Sequence, residues 1–493
     1  MRISAGCVAR VIFAMSMSLP LLLSTGCARG SARRPAQPRA SAATLATLGA
    51  LDPAETYRRA GFLTTSGPVS FVGNVRFLAG PTVDSVLAIV AVSLPSRSLT
   101  FSREGERYRA MYEVVFNLRQ KGEATARTVG HFRARETVRV SSLRETARDE
   151  ESVIFQQLVV VPPGSYTAAL TVRDLGSNRI GTAEGSVTAP QFSGTVGTTT
   201  GVSRIAVGGT GFTGLAAPVA VHAATPRASR AMVPDLVVNA RSTAIFGRDS
   251  IVRIYFEWYD VGPLAPTARS PLVQFSIRSD DGRDVFIDSI VAGAWGADGQ
   301  VAAATARVPV ARVGLGRRRI TAWRVGGSDT ISAPMFVSPA DDLAAVSFEE
   351  LLGYLRYFAT GARLRALRDT APEARPGAWG AFLRATDPSP ATPEHEGLRE
   401  YFSRLAIANA RFRGEEVPGW LSDRGMIYAT LGEPDRVVEP QGREGRLHGR
   451  TQIWEYTQHR LRLAFVEQEG TQRWRLTPSS EAEFQAAAER VRR

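Results

Sequence analysis

The chain has 493 residues, of which 44% are hydrophobic, 22% charged and 8% aromatic. This composition excludes a wholly disordered chain, a collagen and a multi-span membrane protein, and the length suits roughly three domains of ~150 residues. The 60 basic and 47 acidic residues give a net charge of +13, nearly all of it arginine because Lys121 is the only lysine. The arginines are spread along the whole chain among Asp and Glu, which argues against a nucleic-acid-binding face.

The N-terminus reads as an export signal, residues 1–26. Arg2 and Arg10 precede a mostly apolar stretch, Val11 to Leu23. That stretch is shorter than the ~20 residues a membrane-spanning helix takes, and it fits a signal-peptide core. It ends in Leu23-Ser24-Thr25-Gly26-Cys27, which resembles a bacterial lipoprotein box. The resemblance implies cleavage before Cys27 and a lipid on its thiol. No cysteine follows Cys27, so the mature chain has no disulfide. Residues 27–65 then read as a lipidated cysteine and a flexible tether, rich in small residues, Pro and Arg.

From 66 to 190 the apolar pattern has period two. Val86–Val92, Tyr108–Phe116, Phe155–Val161 and Tyr166–Val172 read as strands. Pro162-Pro163-Gly164 is a turn between the last two. The segment 191–232 reads as a Gly/Ala-rich linker. Its Gly208-Gly209-Thr210-Gly211 run has no lysine after it and no strand-to-helix context, so it is no phosphate loop. A second β block follows over 233–337, with strands at Ser250–Tyr259, Val273–Ile277 and Arg319–Val325. Asp280-Asp281-Gly282-Arg283-Asp284 lacks the glutamate of a calcium loop and reads as a hairpin turn. The expected fold is multidomain, with two antiparallel, immunoglobulin-like β-sandwiches, a helical region at 338–418 and a small α+β domain at 419–493.

Near residue 340 the period becomes 3.6. Ser347-Phe348-Glu349-Glu350 predicts a capping box, followed by one apolar face of Phe348, Leu351, Leu352, Leu355, Phe358 and Ala362. Thr392-Pro393-Glu394 predicts the start of a second helix with Thr392 as cap. Its stripe is Leu398, Tyr401, Phe402, Leu405, Ala408 and Phe412.

The sequence Gly419-Trp420-Leu421-Ser422-Asp423-Arg424-Gly425, then Leu431-Gly432-Glu433-Pro434-Asp435, resembles the signature of the GWxTD-domain family of bacterial envelope proteins. Arg384–Pro390, Asn409–Phe412 and Gln452–Tyr456 extend the likeness. Ser422 replaces the family threonine and keeps the hydroxyl. The resemblance implies an envelope setting and marks Gly419, Trp420, Ser422, Asp423, Arg424, Gly425, Gly432, Pro434 and Asp435 as motif residues. It implies no biochemical activity. The helix and Trp-x-Tyr strand also resemble the small BamE/SmpA-like lipoproteins.

Residues 426–431 fit a short helix or a strand. Gly432 and Pro434 end it. Ile453–Tyr456, Leu461–Phe465 and Trp474–Leu476 predict a three-stranded meander, and Ser480 and Glu483 predict the cap of a last helix. The leading expectation is a lipid-anchored, non-catalytic binding or scaffold module of the envelope. It is held to the membrane through Cys27, by default on the periplasmic face of the outer membrane, and has an envelope protein as partner. The alternative is a glycan-binding or glycan-cleaving enzyme using Asp423, Glu433 and Asp435, with His448 or His459. Histidines at 131, 222, 395, 448 and 459 give no metal-ligand spacing, so neither metal nor cofactor is expected.

Overall fold

Ten consecutive residues, Val86–Pro95, are buried without interruption. A strand facing water on one side alternates, so this one has protein on both faces. The computed structural model that shows why describes residues 53–82, 84–121, 127–142, 152–192, 215–227, 229–259, 272–291, 301–324, 330–340, 343–390, 395–412, 417–440, 450–468 and 473–492. Cys27, the export signal and most of the expected tether lie outside these residues.

The first β block contains helix α1 (Pro53–Arg59) and strands β1 (Leu63–Thr65), β2 (Phe71–Ala79), β3 (Val86–Pro95), β4 (Ser102–Glu104), β5 (Arg107–Gln120), β6 (Thr128–Val140), β7 (Ser152–Val161), β8 (Gly164–Asp174) and β9 (Ile180–Ala189). The second contains β10 (Val219–Thr225), β11 (Asp235–Val238), β12 (Thr243–Ile245), β13 (Ile251–Tyr259), β14 (Leu272–Ser279), β15 (Asp284–Val291), β16 (Val301–Pro309), the short helix α2 (Val310–Val313), β17 (Gly316–Arg324) and β18 (Thr330–Ser338). The rest comprises α3 (Phe348–Tyr354), α4 (Gly361–Arg368), α5 (Arg375–Thr386), α6 (Glu396–Arg411), α7 (Asp423–Leu431), strands β19 (Arg436–Val438), β20 (Thr451–Tyr456), β21 (Leu461–Gln468) and β22 (Arg473–Leu476), and α8 (Pro478–Val491).

Sheet one runs β1-β2-β3-β7, and sheet two runs β4-β5-β8-β9 with β6 also paired to β5. Sheet three runs β11-β10-β13-β16, sheet four β12-β18-β17-β14-β15, and sheet five β19-β20-β21-β22. Among the described residues the strands pair antiparallel except β12 with β18. The Asp281-Gly282 turn joins β14 to β15, with Gly282 at φ +82°.

Registers show how the sheets stack. Gly73 pairs with Val92 and meets Leu170 of sheet two, so even-numbered residues of β3 face sheet two. The odd-numbered ones face sheet three, as does Gln156 of β7, which bonds the backbone of β11 at Leu236 and Val238 (2.8 and 2.9 Å). Sheet three is likewise covered twice. On β13, Tyr255 and Tyr259 join the core of the first block. Ile254, Phe256 and Trp258 join the core shared with sheet four. Large rings of β13 sit opposite alanines of β16, Phe256 on Ala304 and Trp258 on Ala302, which keeps the layer evenly filled.

The described elements run across the expected divisions in three places. The expected tether 27–65 includes folded residues. α1 and Phe62 wedge between Val72 of β2 and Phe336 of β18, and Tyr57 Oη bonds Thr243 Oγ1 at 2.8 Å. The expected linker 191–232 includes β10, an inner strand of sheet three. Its Ala- and Val-rich sequence suits a strand packed closely on both sides. The helical region, finally, is continuous with the core of sheets three and four: Phe246 packs on Phe348, and Trp379 Nε1 donates to the Pro339 carbonyl (3.2 Å).

Local signals hold in some places and shift in others. The Ser347/Glu350 capping box is present. Its helix stops at a 3-10 turn, and Thr360 caps a new one, α4, so the phase changes: Ala362 is exposed and Leu364 and Leu367 are buried. The cap of α6 is His395, whose Nδ1 accepts from Leu398 N (3.0 Å) while Nε2 meets Thr386 Oγ1 (2.9 Å). Residues 391–394, with the expected Thr392 cap, lie outside the described residues. Thr477, not Ser480 or Glu483, caps α8, with Pro478 in its first turn. Ser480 is buried and its hydroxyl accepts from Ala464 N of β21 (2.9 Å).

Candidate functional site

The segment 419–435 links α6, sheet five and α8. Gly419–Leu421 form a 3-10 turn and Asp423–Leu431 form α7, so the helix reading of 426–431 holds. Glycine is required at 419 by a close approach and not by a left-handed φ. A Cβ there would lie 2.7 Å from the Ala408 carbonyl and 2.8 Å from that of Asn409, at the end of α6. Gly425 is tighter still, since its Cβ would lie 1.9 Å from the Gly419 carbonyl. The two glycines let the 3-10 turn lie directly on the first turn of α7.

Ser422 joins these turns. Its hydroxyl donates to Gly419 O (2.8 Å) and accepts from Gly425 N (3.1 Å), the N-cap bond of α7. A threonine hydroxyl makes the same bonds, which explains why serine substitutes here. Asp423 ties the helix to sheet five: Oδ2 accepts from Leu476 N (2.8 Å) and Oδ1 from Arg475 Nη1 (3.2 Å). It also lies at the positive end of the helix dipole. Arg424 lies over two rings, 5.0 Å from the centre of Phe412 and 4.9 Å from that of Trp474.

Trp420 is buried against Tyr354 (5.3 Å) and Tyr357 (6.1 Å), with the Arg356 guanidinium over its ring at 5.1 Å. Its Nε1 has no hydrogen-bond partner among the described residues. At the far end of α7, Gly432 takes φ +86° and its carbonyl accepts from Tyr456 Oη (3.0 Å). Pro434 is buried and Glu433 is exposed, paired with Arg411 (2.8 Å). Asp435 accepts from Thr457 N (2.6 Å) and its own N–H bonds Glu455 O (2.9 Å). The Thr457 backbone N–H holds the Asp435 carboxyl below the usual carboxylate range.

The motif thus fastens both ends of α7 to sheet five. Residues 333–487 match the GWxTD domain family. The chain carries a GWxTD domain. No curated protein matches the chain at a significant level. The GWxTD match opens inside β18 of sheet four, so the last strand of the β block belongs to the same unit as the helices packed on it.

The GWxTD carboxylates serve separate structural contacts: Asp423 at β22, Glu433 at Arg411 of α6, Asp435 at the β20–β21 turn. His459 lies near Asp435 at that turn. His448 lies outside the described residues, and among those residues no three His, Cys, Asp or Glu side chains group as metal ligands. No helix among them is long and apolar enough to cross a membrane.

Asp423→Asn is expected to keep the N-terminal geometry of α7 but lose the ionic part of its contacts to Arg475 and Leu476 N. The cost is about 1–2 kcal/mol, low for bonds to a charged group because the Arg475 pair is half-exposed. Guanidinium denaturation followed by tryptophan fluorescence measures it.

The sequence reading missed one polar cluster. Arg227 and Glu257 form a fully buried bidentate pair, Nε–Oε1 2.9 Å and Nη2–Oε2 2.8 Å. Tyr255 Oη donates to Oε1 (2.5 Å) and Tyr259 Oη to Oε2. Arg227 also reaches the carbonyls of Ala79, Arg230 and Met232, while Arg230 bonds those of Gly80 and Thr82. Ala79 N completes the cluster by donating to Tyr259 Oη (2.9 Å). The signal was present in Tyr255-Phe256-Glu257-Trp258-Tyr259: a carboxylate inside an apolar strand demands a cation.

Proposed function

We propose that the protein is a lipid-anchored, non-catalytic binding or scaffold module of the bacterial envelope, with an envelope protein as its partner. The observation that carries this reading is the use of the motif. Ser422, Asp423, Glu433 and Asp435 each hold one element of the GWxTD domain to another, which is what a rigid docking platform needs. A general acid would need a raised pKa, and Asp435 is shifted the opposite way. The lipoprotein box at Cys27 supports the anchor and the envelope setting.

Finer features of the β blocks are part of the same reading. An immunoglobulin-like character for the first block is supported by Tyr166, whose hydroxyl donates to the Pro162 carbonyl across the Pro162-Pro163-Gly164 turn (2.7 Å), the pattern of a tyrosine corner.

The anchor is tested directly by Cys27→Ser. The wild-type chain is expected to incorporate radiolabelled palmitate and to fractionate with membranes. The variant is expected to be unlabelled and to leave the membrane fraction. A wild-type chain recovered soluble and unlabelled overturns the anchor, and a variant that stays membrane-bound at the same mass shows that another contact holds it there. Affinity purification of the anchored chain after cross-linking tests for the partner.

A further inference from the structure

Sheets one and three are tied at the β2–β3 turn by the Arg227–Glu257 cluster. At the opposite end of β3 their facing surfaces part into a cleft of about 350 Å³. Ser93, Ser152 and Ile154 line it from sheet one; Arg241, Arg248, Asp249 and Arg253 line it from the second block. Arg241, Arg248 and Arg253 bring guanidinium groups to its wall, beside His222 and the Asp249 carboxylate. Asp249 is already engaged, accepting from Ile245 N (2.7 Å) and from Arg248 Nε (3.4 Å).

Arg253 is the central group. It lies two residues before Tyr255 on β13, on the strand face that carries Glu257, and so enters the space between the sheets. It is half-buried, makes one long bond to the His222 carbonyl (3.4 Å), and has no carboxylate partner among the described residues. A half-buried guanidinium presents a planar fork that matches a carboxylate or phosphate in two parallel bonds. Ile154 supplies an apolar wall opposite. Ligand sites favour such joints between structural units, and this volume lies at the small end of their range, ~300–1,000 Å³.

We propose that this cleft binds a small ligand bearing a carboxylate or phosphate group, about the size of one sugar, with Arg253 as the bidentate contact and Arg248 at the rim. The site lies outside the matched GWxTD residues and is independent of the scaffold reading.

The test is isothermal titration of the full chain in detergent at physiological salt with inorganic phosphate, glucuronate and glucose, each to millimolar concentration. Saturable binding of phosphate or glucuronate, with none of glucose, is expected. Tighter binding of phosphate assigns a phosphate source and tighter binding of glucuronate a sugar acid; either supports the site. Arg253→Gln is expected to weaken binding about tenfold and Arg248→Gln by a smaller factor. If Arg253→Gln does not fold, Ile154→Trp, which fills the cleft without touching a charge, must abolish the same binding. Equal binding of glucose, no saturable binding of either anion, or anion binding unchanged in a folded Arg253→Gln and in Ile154→Trp overturns the proposal.

Discussion

Glu257→Ala is expected to cost about 3–5 kcal/mol of folding stability, the largest loss of any single polar substitution considered in this chain. The variant leaves Arg227 charged and buried with no counter-ion, and strips the Tyr255 and Tyr259 hydroxyls of their acceptor. Removing one partner of a buried ion pair costs far more than the pair's net contribution, because the survivor keeps its desolvation penalty. A loss of this size is a large part of the ~5–15 kcal/mol that separates folded from unfolded domains. The check is guanidinium denaturation of wild type, Glu257→Ala, Arg227→Met and the double variant. The double variant is expected to lose less than the sum of the singles, because neither charge is left alone. Additive losses would mean that the two side chains do not act as a pair.

Gly425→Ala is expected to destabilise the GWxTD domain by about 3 kcal/mol or more, at or beyond the upper end of ordinary overpacking. The added methyl would lie 1.9 Å from the Gly419 carbonyl and 2.8 Å from Trp420 Cα, both backbone atoms that cannot rotate away. Relief requires the 3-10 turn to lift from α7, which breaks the Ser422 bonds and unseats Trp420. The control is Gly377→Ala in α5, where a Cβ meets nothing within 4 Å. Alanine there is expected to be neutral or to stabilise by up to ~1 kcal/mol, the usual helical preference over glycine. Thermal melts of the two variants beside wild type separate a steric requirement from a general intolerance of substitution. Similar melts for both would remove the steric explanation of the motif.

Much of the local structure is legible in the residues. The strands at Tyr108, Phe155, Tyr166, Ser250 and Val273 lie where period two puts them, the one at Val86 where its unbroken apolar run puts it, and the meander of sheet five follows its alternation. The motif glycines, the Ser422 cap and the stop at Gly432 follow from elementary backbone chemistry. What period alone does not show is the number of covered faces. The unbroken run Val86–Val92 carried that information, because a strand with water on one side alternates. Read as a strand within one sandwich, it gave no reason to place sheet three behind it. β10 was hidden for a related reason: Val219-Ala220-Val221 with Ala223-Ala224 is small enough to resemble a linker, yet small residues are what closely packed layers require. The cap expected at Ser480 was displaced by a tertiary bond. Ser480 is spent on Ala464 N inside α8, and Thr477 before it caps the helix; α6 is capped by His395, whose other nitrogen meets Thr386.

The burial of Val86–Pro95 on both faces bears on how this chain can be inherited and cut. A gene segment ending between residues 190 and 215 would carry sheet one without the layer that seals Leu87, Ile89 and Ala91, leaving a wide greasy wall in water. Evolutionary shuffling of the two β blocks as separate cassettes is disfavoured at that seam, and a truncation designed there is expected to precipitate. Shortened versions meant to stay in solution should keep the two β blocks together.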